Sequence, residues 1–225
     1  SAASDVYKRQ DLLITLHEAD SDRLFRLYKR KADFCVPVCI VDEQIADAVL
    51  YVSEATQSRV FTVGFIGTAF YANTEAAQYI SQHIAPAFID DRQIQFVIAG
   101  NGFEAYATKL DKPNLKTYGY VESLADFYQS VDVILSPISI GGGMKVKVAE
   151  ALKYNKKVIA SSFTLIGYEQ SLESPDIISC NSLSEYKVAI KKLRNMQTTA
   201  STTRKLFLQY YSDSACAEYF KKIFQ

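Results

Sequence analysis

Between Val60 and Ser179 the sequence repeats a single pattern: an apolar run, a glycine or turn residue, then an amphipathic helix. The runs at residues 61–66, 95–99, 115–118, 131–135, 157–160 and 176–178 are short, rich in Val, Ile and Phe, and mostly without alternation. Strands without a polar face are buried on both sides, as in a parallel sheet covered by helices. The helices between them carry start signals. Asn73 precedes a stripe of Ala76, Tyr79, Ile80, Ile84 and Phe88; Ser123 with Asp126 precedes Leu124, Phe127 and Tyr128; Ser182 with Glu185 spells a capping box. These aromatic stripes read as core. Alternating strand and helix imply right-handed crossovers and an α/β fold with a doubly wound parallel sheet, which binds ligands beyond the carboxyl ends of its strands.

The flanks are less regular. Leu12, Leu13 and Ile14, continued at Leu16, read as a buried strand, and Asp20-Ser21-Asp22 as a helix start before Leu24, Phe25, Leu27 and Tyr28. Residues 34–41 read as a short strand interrupted by Pro37, which suits an edge or a strand end. Residues 42–59 mix charge with weak helical pattern and read as a link. Residues 203–224 read as one or two closing helices with a break near Ser212-Asp213. The opening ten residues are small, polar and unpatterned and are set aside from the fold as an assembly scar.

Composition excludes several classes. With 225 residues, 48% of them hydrophobic, the chain can bury a sizeable core. Its 25 basic and 25 acidic residues cancel, so no broad footprint for nucleic acid is expected. Cys35, Cys39, Cys180 and Cys216 form no Cys-x-x-Cys pair, and only His17 and His83 could complete a metal site. They read as free thiols in a reducing cytoplasm. No apolar run approaches transmembrane length, and no signal peptide is visible, so a soluble chain is expected.

The chemistry concentrates after the run at 131–135, where Gly141, Gly142 and Gly143 are followed by Met144-Lys145-Val146-Lys147-Val148-Ala149-Glu150-Ala151-Leu152. Three glycines strip the turn of side chains, so backbone N–H groups can approach a ligand. They stand where a strand ends and a helix begins, and a helix N-terminus attracts phosphate through its unpaired donors and its dipole. Lys145 and Lys147 add mobile positive charge there. Glu150 follows Lys147 by three residues, so a helix puts both on one face, with Val146, Ala149 and Leu152 left for the sheet side. A carboxylate about one turn past a phosphate cradle can accept hydrogen bonds from ribose hydroxyls, which fits a nucleoside diphosphate. The competing reading is a flexible turn and an ordinary surface helix.

The same residues, followed by Val158-Ile159-Ala160 and Gly167, resemble the donor-site signature of the family 4 type glycosyltransferases, the glycosyl transferases group 1. Phe65-Ile66-Gly67 with Asn73, then residues 97–102, then Tyr118-Gly119-Tyr120-Val121, resemble further landmarks of that family in the same order. The resemblance runs over residues 11–224, because residues 13–20 also resemble the last βα unit of the acceptor domain. It implies the Rossmann-like C-terminal half of a GT-B fold at residues 58–200, closing helices at 201–225, and a remnant of the N-terminal acceptor domain at 11–45. It further implies retaining, metal-independent transfer of a sugar from a nucleoside-diphosphate donor to an acceptor hydroxyl, in polysaccharide or glycoconjugate synthesis. No cofactor is expected besides that donor substrate. Gly141, Gly142, Gly143 and Lys145 would hold the diphosphate, with Lys145 as the catalytic charge and Lys147 beside it. Glu150 would hold the ribose, Tyr120 and Val121 would lie near the base, and Gly67 would bring the first loop to the donor. Most of the acceptor domain would be missing, leaving a cytoplasmic donor-binding chain, peripheral at the membrane only in a full-length parent, with little transfer of its own.

This sequence departs from the family in two places. Relatives often carry a Glu that contacts the donor sugar where Gly142 stands, and a basic residue in the stretch matching residues 68–74, which has none. The departures leave donor sugar and catalytic competence open, and with them two other readings: a non-catalytic nucleotide-binding module, or a nucleotide-sugar 2-epimerase, which would want carboxylates and a histidine in the cleft. Asp20-Ser21-Asp22 has the form of a metal-diphosphate motif but reads as a helix cap, so no metal ligand is assigned. His17 reads as structural before acid/base, and Glu169 either lines the donor-sugar pocket or is exposed.

Overall fold

The computed structural model describes residues 9–43, 59–196 and 202–224. Most of the link read at 42–59, and the opening residues up to 8, lie outside the described residues. The chain begins with β1 (Ile14–Thr15), α1 (Glu18–Tyr28) and β2 (Phe34–Cys35). Next come β3 (Phe61–Ile66), α2 (Tyr71–Tyr79), β4 (Ile94–Ala99), α3 (Ala107–Leu110), β5 (Leu115–Thr117) and α4 (Leu124–Ser130). They are followed by β6 (Val133–Ser136), α5 (Val146–Lys153), β7 (Lys157–Ala160), β8 (Ile177–Ser179), α6 (Leu183–Asn195), α7 (Thr203–Leu206) and α8 (Asp213–Ile223).

Six strands form one sheet in the order β5-β4-β3-β6-β7-β8. Every pair in it is parallel. The order reverses between β3 and β6, which is the switch point of a doubly wound sheet, where a crevice opens beyond the strand ends. Both faces are covered, as the unalternated strands require. Phe65, Phe96, Ile98, Leu135 and Ile159 pack on one side with Ile80, Ile84, Tyr186, Ile190 and Leu193. Ile134, Val158 and Ala160 pack on the other with Tyr128, Val148, Leu152, Phe207 and Tyr211. Adjacent strand residues such as Ile134 and Leu135 point to opposite faces, so the central strands β3, β4, β6 and β7 feed both cores.

The start signals differ in outcome. Ser123 Oγ accepts from the Asp126 amide at 3.1 Å, and Ser182 with Glu185 forms the full capping box. Asn73 is not a cap: α2 begins earlier, at Tyr71, and Asn73 is buried inside it. Its stripe continues beyond α2 through a π turn, Ile80–Ile84, and a 3-10 turn, Ala85–Phe88. The sixth strand begins at Val133 instead of 131, because Val131 terminates α4 and Asp132 ties the chain to Thr62, accepting its amide at 2.7 Å.

Three further expectations need correcting. Leu12, Ile14 and Leu16 are exposed and only Leu13 is buried, because β1 pairs only with β2 in a two-stranded sheet. Val146 faces outward at 45% exposure, while Ala149 and Leu152 are buried as expected. Cys39 and Cys216 are not free thiols but a disulfide across 177 residues, with Cα atoms 6.1 Å apart. Residues 38–42 run beside the break between α7 and α8, where Ile40 N–H donates to the Tyr211 carbonyl at 2.9 Å and Asp213 N–H to the Ile40 carbonyl at 3.0 Å. That pairing brings the two cysteines together, and spacing along the chain carries no trace of it. Cys35 and Cys180 remain free. The break itself falls at Ser212, whose Oγ caps α8. Among the described residues no helix is long and apolar enough to cross a membrane.

Candidate functional site

The loops that leave β3, β4 and β5 are laced together at the backbone. Gly67 N–H donates to the Ala99 carbonyl at 3.0 Å, Gly100 N–H to the Gly119 carbonyl at 2.9 Å, and Ala69 N–H to the Asn101 carbonyl at 2.8 Å. Gly100 has φ +137°, and a Cβ there would stand 1.9 Å from the Gly67 carbonyl oxygen, so no side chain fits. On the other side of the switch point β6 runs into residues 137–145. Gly141 and Gly143 have φ of +113° and +63°, the left-handed region that glycine adopts without strain. Gly142 is different: a Cβ added to it meets nothing within 4 Å.

α5 follows with Lys145 at its N-cap and no side-chain cap of its own. Tyr168 supplies the missing support: its hydroxyl donates to the Lys145 carbonyl at 2.9 Å and accepts from the Ala149 amide at 3.3 Å. The first amides of a helix have no acceptor within it, so the open end of α5 presents donors to the cleft. Gly167, at φ +90°, packs against Met144; a Cβ there would lie 2.6 Å from Met144 Cγ.

These loops enclose a cleft of about 480 Å³ at the switch point. Gly67, Tyr120, Val121, Gly141, Gly142, Lys145, Lys147 and Glu150 all line it, so the structure brings together eight of the residues singled out in the sequence. Gly143 is not among its walls; it shapes the turn, and its carbonyl accepts from Lys145 Nζ at 2.7 Å. Tyr120 is 74% exposed and stands at the rim. Glu169 is exposed and accepts from the Gly167 amide at 2.9 Å, which places it outside the cleft. His17 accepts from the Asp20 amide through Nδ1 at 3.2 Å and caps α1, the structural role. Asp20 and Asp22 lie in that helix, and Asp22 pairs with Lys31 at 3.2 Å.

The charged side chains of the cleft are held, not mobile. Lys145 Nζ folds back onto the carbonyls of Gly142 and Gly143 and lies 4.7 Å over the Phe163 ring. Burial pushes its ammonium below the ordinary value. Lys147, expected to be mobile, is 9% exposed, because the first turn of α5 points it into the sheet end and not toward solvent. Its Nζ donates to Asn73 Oδ1 at 2.8 Å and sits 4.0 Å over the Phe65 ring. Burial lowers it to about 7, with Glu150 pulling the other way. Glu150 is raised, chiefly by burial, while its Oε2 accepts from the Tyr128 hydroxyl at 3.2 Å. Tyr128 is fully buried and stacks on Tyr154 with ring centroids 4.6 Å apart. Asn73, Tyr128, Phe163 and Tyr168 escaped the sequence reading as site residues. Asn73 reads as a helix start and a family landmark and the others as stripe or loop residues, and their contacts cross from 18 to 74 residues of chain.

No curated protein matches the chain in sequence. Among solved structures, that of TarM is 15% identical with a TM-score of 0.72, covering 100% of this chain and 45% of that one. Anabaena Alr3699/HepE, in complex with UDP and glucose, is 14% identical with a TM-score of 0.73, covering 99% and 65%. The pneumococcal O-GlcNAc transferase GtfA, in complex with UDP and GlcNAc, is 12% identical with a TM-score of 0.63, covering 99% and 46%. At such identities the likeness establishes the fold, the GT-B architecture, and the chain spans about half to two thirds of each structure's length. The glycosyl transferases group 1 family matches residues 60–190, more than half of the sequence and the whole of the cleft. This chain therefore belongs to the glycosyl transferases group 1.

Proposed function

We propose that the cleft binds a nucleoside-diphosphate sugar and that the chain is the donor half of a glycosyltransferase acting by retaining transfer to an acceptor hydroxyl. One observation carries this reading: a side-chain-free turn, the open end of α5, two lysines and a half-buried glutamate converge on one cleft at the switch point of a doubly wound sheet. Gly141, Gly142 and the first amides of α5 face a diphosphate, and Lys145, released from the Gly142 and Gly143 carbonyls, compensates the charge that builds on it as the sugar departs. No nucleophile is required of the protein for that task. Glu150, oriented by Tyr128, accepts from ribose hydroxyls, and Tyr120 and Val121 flank the base. Two of the similar structures hold UDP, which supports the class of ligand.

The acceptor half is supplied by further N-terminal sequence in this reading, packing on the exposed Leu12, Ile14 and Leu16. The role is in polysaccharide or glycoconjugate synthesis. Gly142 favours a second reading, a non-catalytic nucleotide-binding module, because the glutamate of related enzymes is absent there. The epimerase reading is weaker, since Glu150 is the one carboxylate and no histidine lines the cleft among the described residues.

Calorimetric titration with UDP, GDP and CMP, with and without Lys145→Ala, tests the proposal. Loss of a phosphate ligand should cost about 1.5–3 kcal/mol in affinity, the scale of a charge-assisted hydrogen bond. Equal binding by both proteins would remove Lys145 from the site. Donor hydrolysis or transfer by the full-length parent then separates the enzyme from the module.

A further inference from the structure

Lys147 is the most enclosed charge in the cleft, and what holds it comes from outside α5. Asn73 is 4% exposed and uses both ends of its amide. Its Oδ1 accepts from Lys147 Nζ at 2.8 Å, and its Nδ2 donates to the Thr68 carbonyl at 2.7 Å. The two partners fix which way the amide points, since the ammonium only donates and the carbonyl only accepts. Gly67 lies directly against the pair: a Cβ on it would be 2.6 Å from Asn73 Nδ2 and 2.9 Å from Lys147 Nζ.

The groups that face Lys147 come from four elements. β3 contributes the Phe65 ring and α2 the neutral Asn73 amide. α5 and its N-cap contribute Glu150, which favours the charged ammonium, and Lys145, which opposes it. α4 acts through Tyr128, whose hydroxyl is committed to Glu150. On the side of the turn after β3, then, the ammonium meets an amide and a ring. A carboxylate in Asn73's place would neutralise the charge that an incoming anion needs.

We infer that Asn73 is a positioning residue, fixing Lys147 Nζ against the turn at Gly67 and Thr68 by a neutral contact, so that the ammonium stays free to compensate a diphosphate. The inference rests on the reading of the cleft as a donor site. It also accounts for residues 68–74 functioning without a basic residue: α5 supplies the charge, and α2 aims it.

The decisive measurement needs no nucleotide. In the 225-residue chain labelled with 15N-lysine, the Lys147 ammonium, assigned through Lys147→Arg, is titrated by NMR. Its midpoint should stand near 7. Asn73→Asp places a carboxylate beside it and raises the midpoint by about one unit or more, whereas Asn73→Leu removes the hydrogen bond and lowers it. Should Asn73→Leu fail to fold, Asn73→Gln, which keeps a neutral amide but displaces it from the ammonium, takes its place and should move the midpoint below wild type, opposite to the Asp variant. A midpoint that no substitution moves overturns the inference. In a second arm, UDP affinity is followed from pH 7 to 9. Wild type should lose up to about tenfold per pH unit, because binding takes up the proton that free Lys147 gives off. Asn73→Asp should flatten that slope and weaken binding at pH 7 by about tenfold; wild-type slope and affinity in that variant would equally overturn the inference. If the wild-type chain binds none of UDP, GDP and CMP, the donor-site reading falls, and the titration still decides the role of Asn73.

Discussion

At the scale of single residues, the glycines separate cleanly by what surrounds them. Gly100 is closed from both directions, by its positive φ and by the Gly67 carbonyl 1.9 Å from where its Cβ would stand. Gly100→Ala should therefore destabilise the chain by more than about 3 kcal/mol, since backbone strain and a backbone clash combine. Gly142 is open, with nothing within 4 Å of an added Cβ. Gly142→Glu should stay within about 0.5 kcal/mol of wild type in urea unfolding, the range of a surface substitution. If it unfolds the chain instead, the turn depends on a bare backbone at that position too. A stable Gly142→Glu that gains affinity for a UDP-sugar relative to UDP would identify the position as the one that reads the sugar. The sequence lines these glycines up as equals; only the conformation and the neighbours divide them.

At the scale of elements, α5 is the part on which the site and the core make opposite demands. Ala149, Ala151 and Leu152 are fully buried against the sheet, while Lys147 enters the same interior as a charge. Lys156, just beyond the helix, is buried as well and donates to the Val131 carbonyl at 2.9 Å. Burial lowers the two ammonium groups from 10.5 to about 7 and about 8 respectively. Because the folded values are depressed, the unfolded chain holds more protons between about pH 7 and 10. Stability should therefore rise with pH from about 7 toward 9, where Cys180, raised to about 11 by burial, begins to pull the other way. Urea midpoints at pH 7 and 9 read this directly. The rise should shrink in Lys147→Met, and an identical rise in that variant would show that the ammonium is not desolvated.

At the scale of the whole molecule, the amino-terminal unit and the carboxy-terminal helices form one structural strap. The Cys39–Cys216 disulfide closes it, and Arg204 holds both Asp42 carboxylate oxygens at 2.8 Å. Val38 N–H meets Met144 Sδ at 3.3 Å, so the strap reaches the loop that leads into α5. A bridge closing so long a loop constrains the unfolded chain, and its loss should cost about 2–4 kcal/mol. Cys216→Ser, or a reductant, should lower the unfolding midpoint in urea accordingly. If neither changes it, the strap is held by the backbone pairing at Ile40 and not by sulfur.

The sequence by itself determined the layered α/β fold, the order of the sheet strands along the chain and the place of the cleft. These follow from local signals: uninterrupted apolar runs, capping residues, and glycines between a strand and a helix. β3 and β7 fall on the residues that the runs mark, and the glycine turn opens at the switch point of the sheet. Tertiary structure alone decided what happens inside that cleft. Lys147 reads as mobile until Asn73 and Phe65 are seen to bury it, and Cys39 and Cys216 read as thiols until residues 38–42 are seen beside α8. In both cases the controlling contact joins residues far apart along the chain, and a charge or a thiol takes its properties from the groups packed around it.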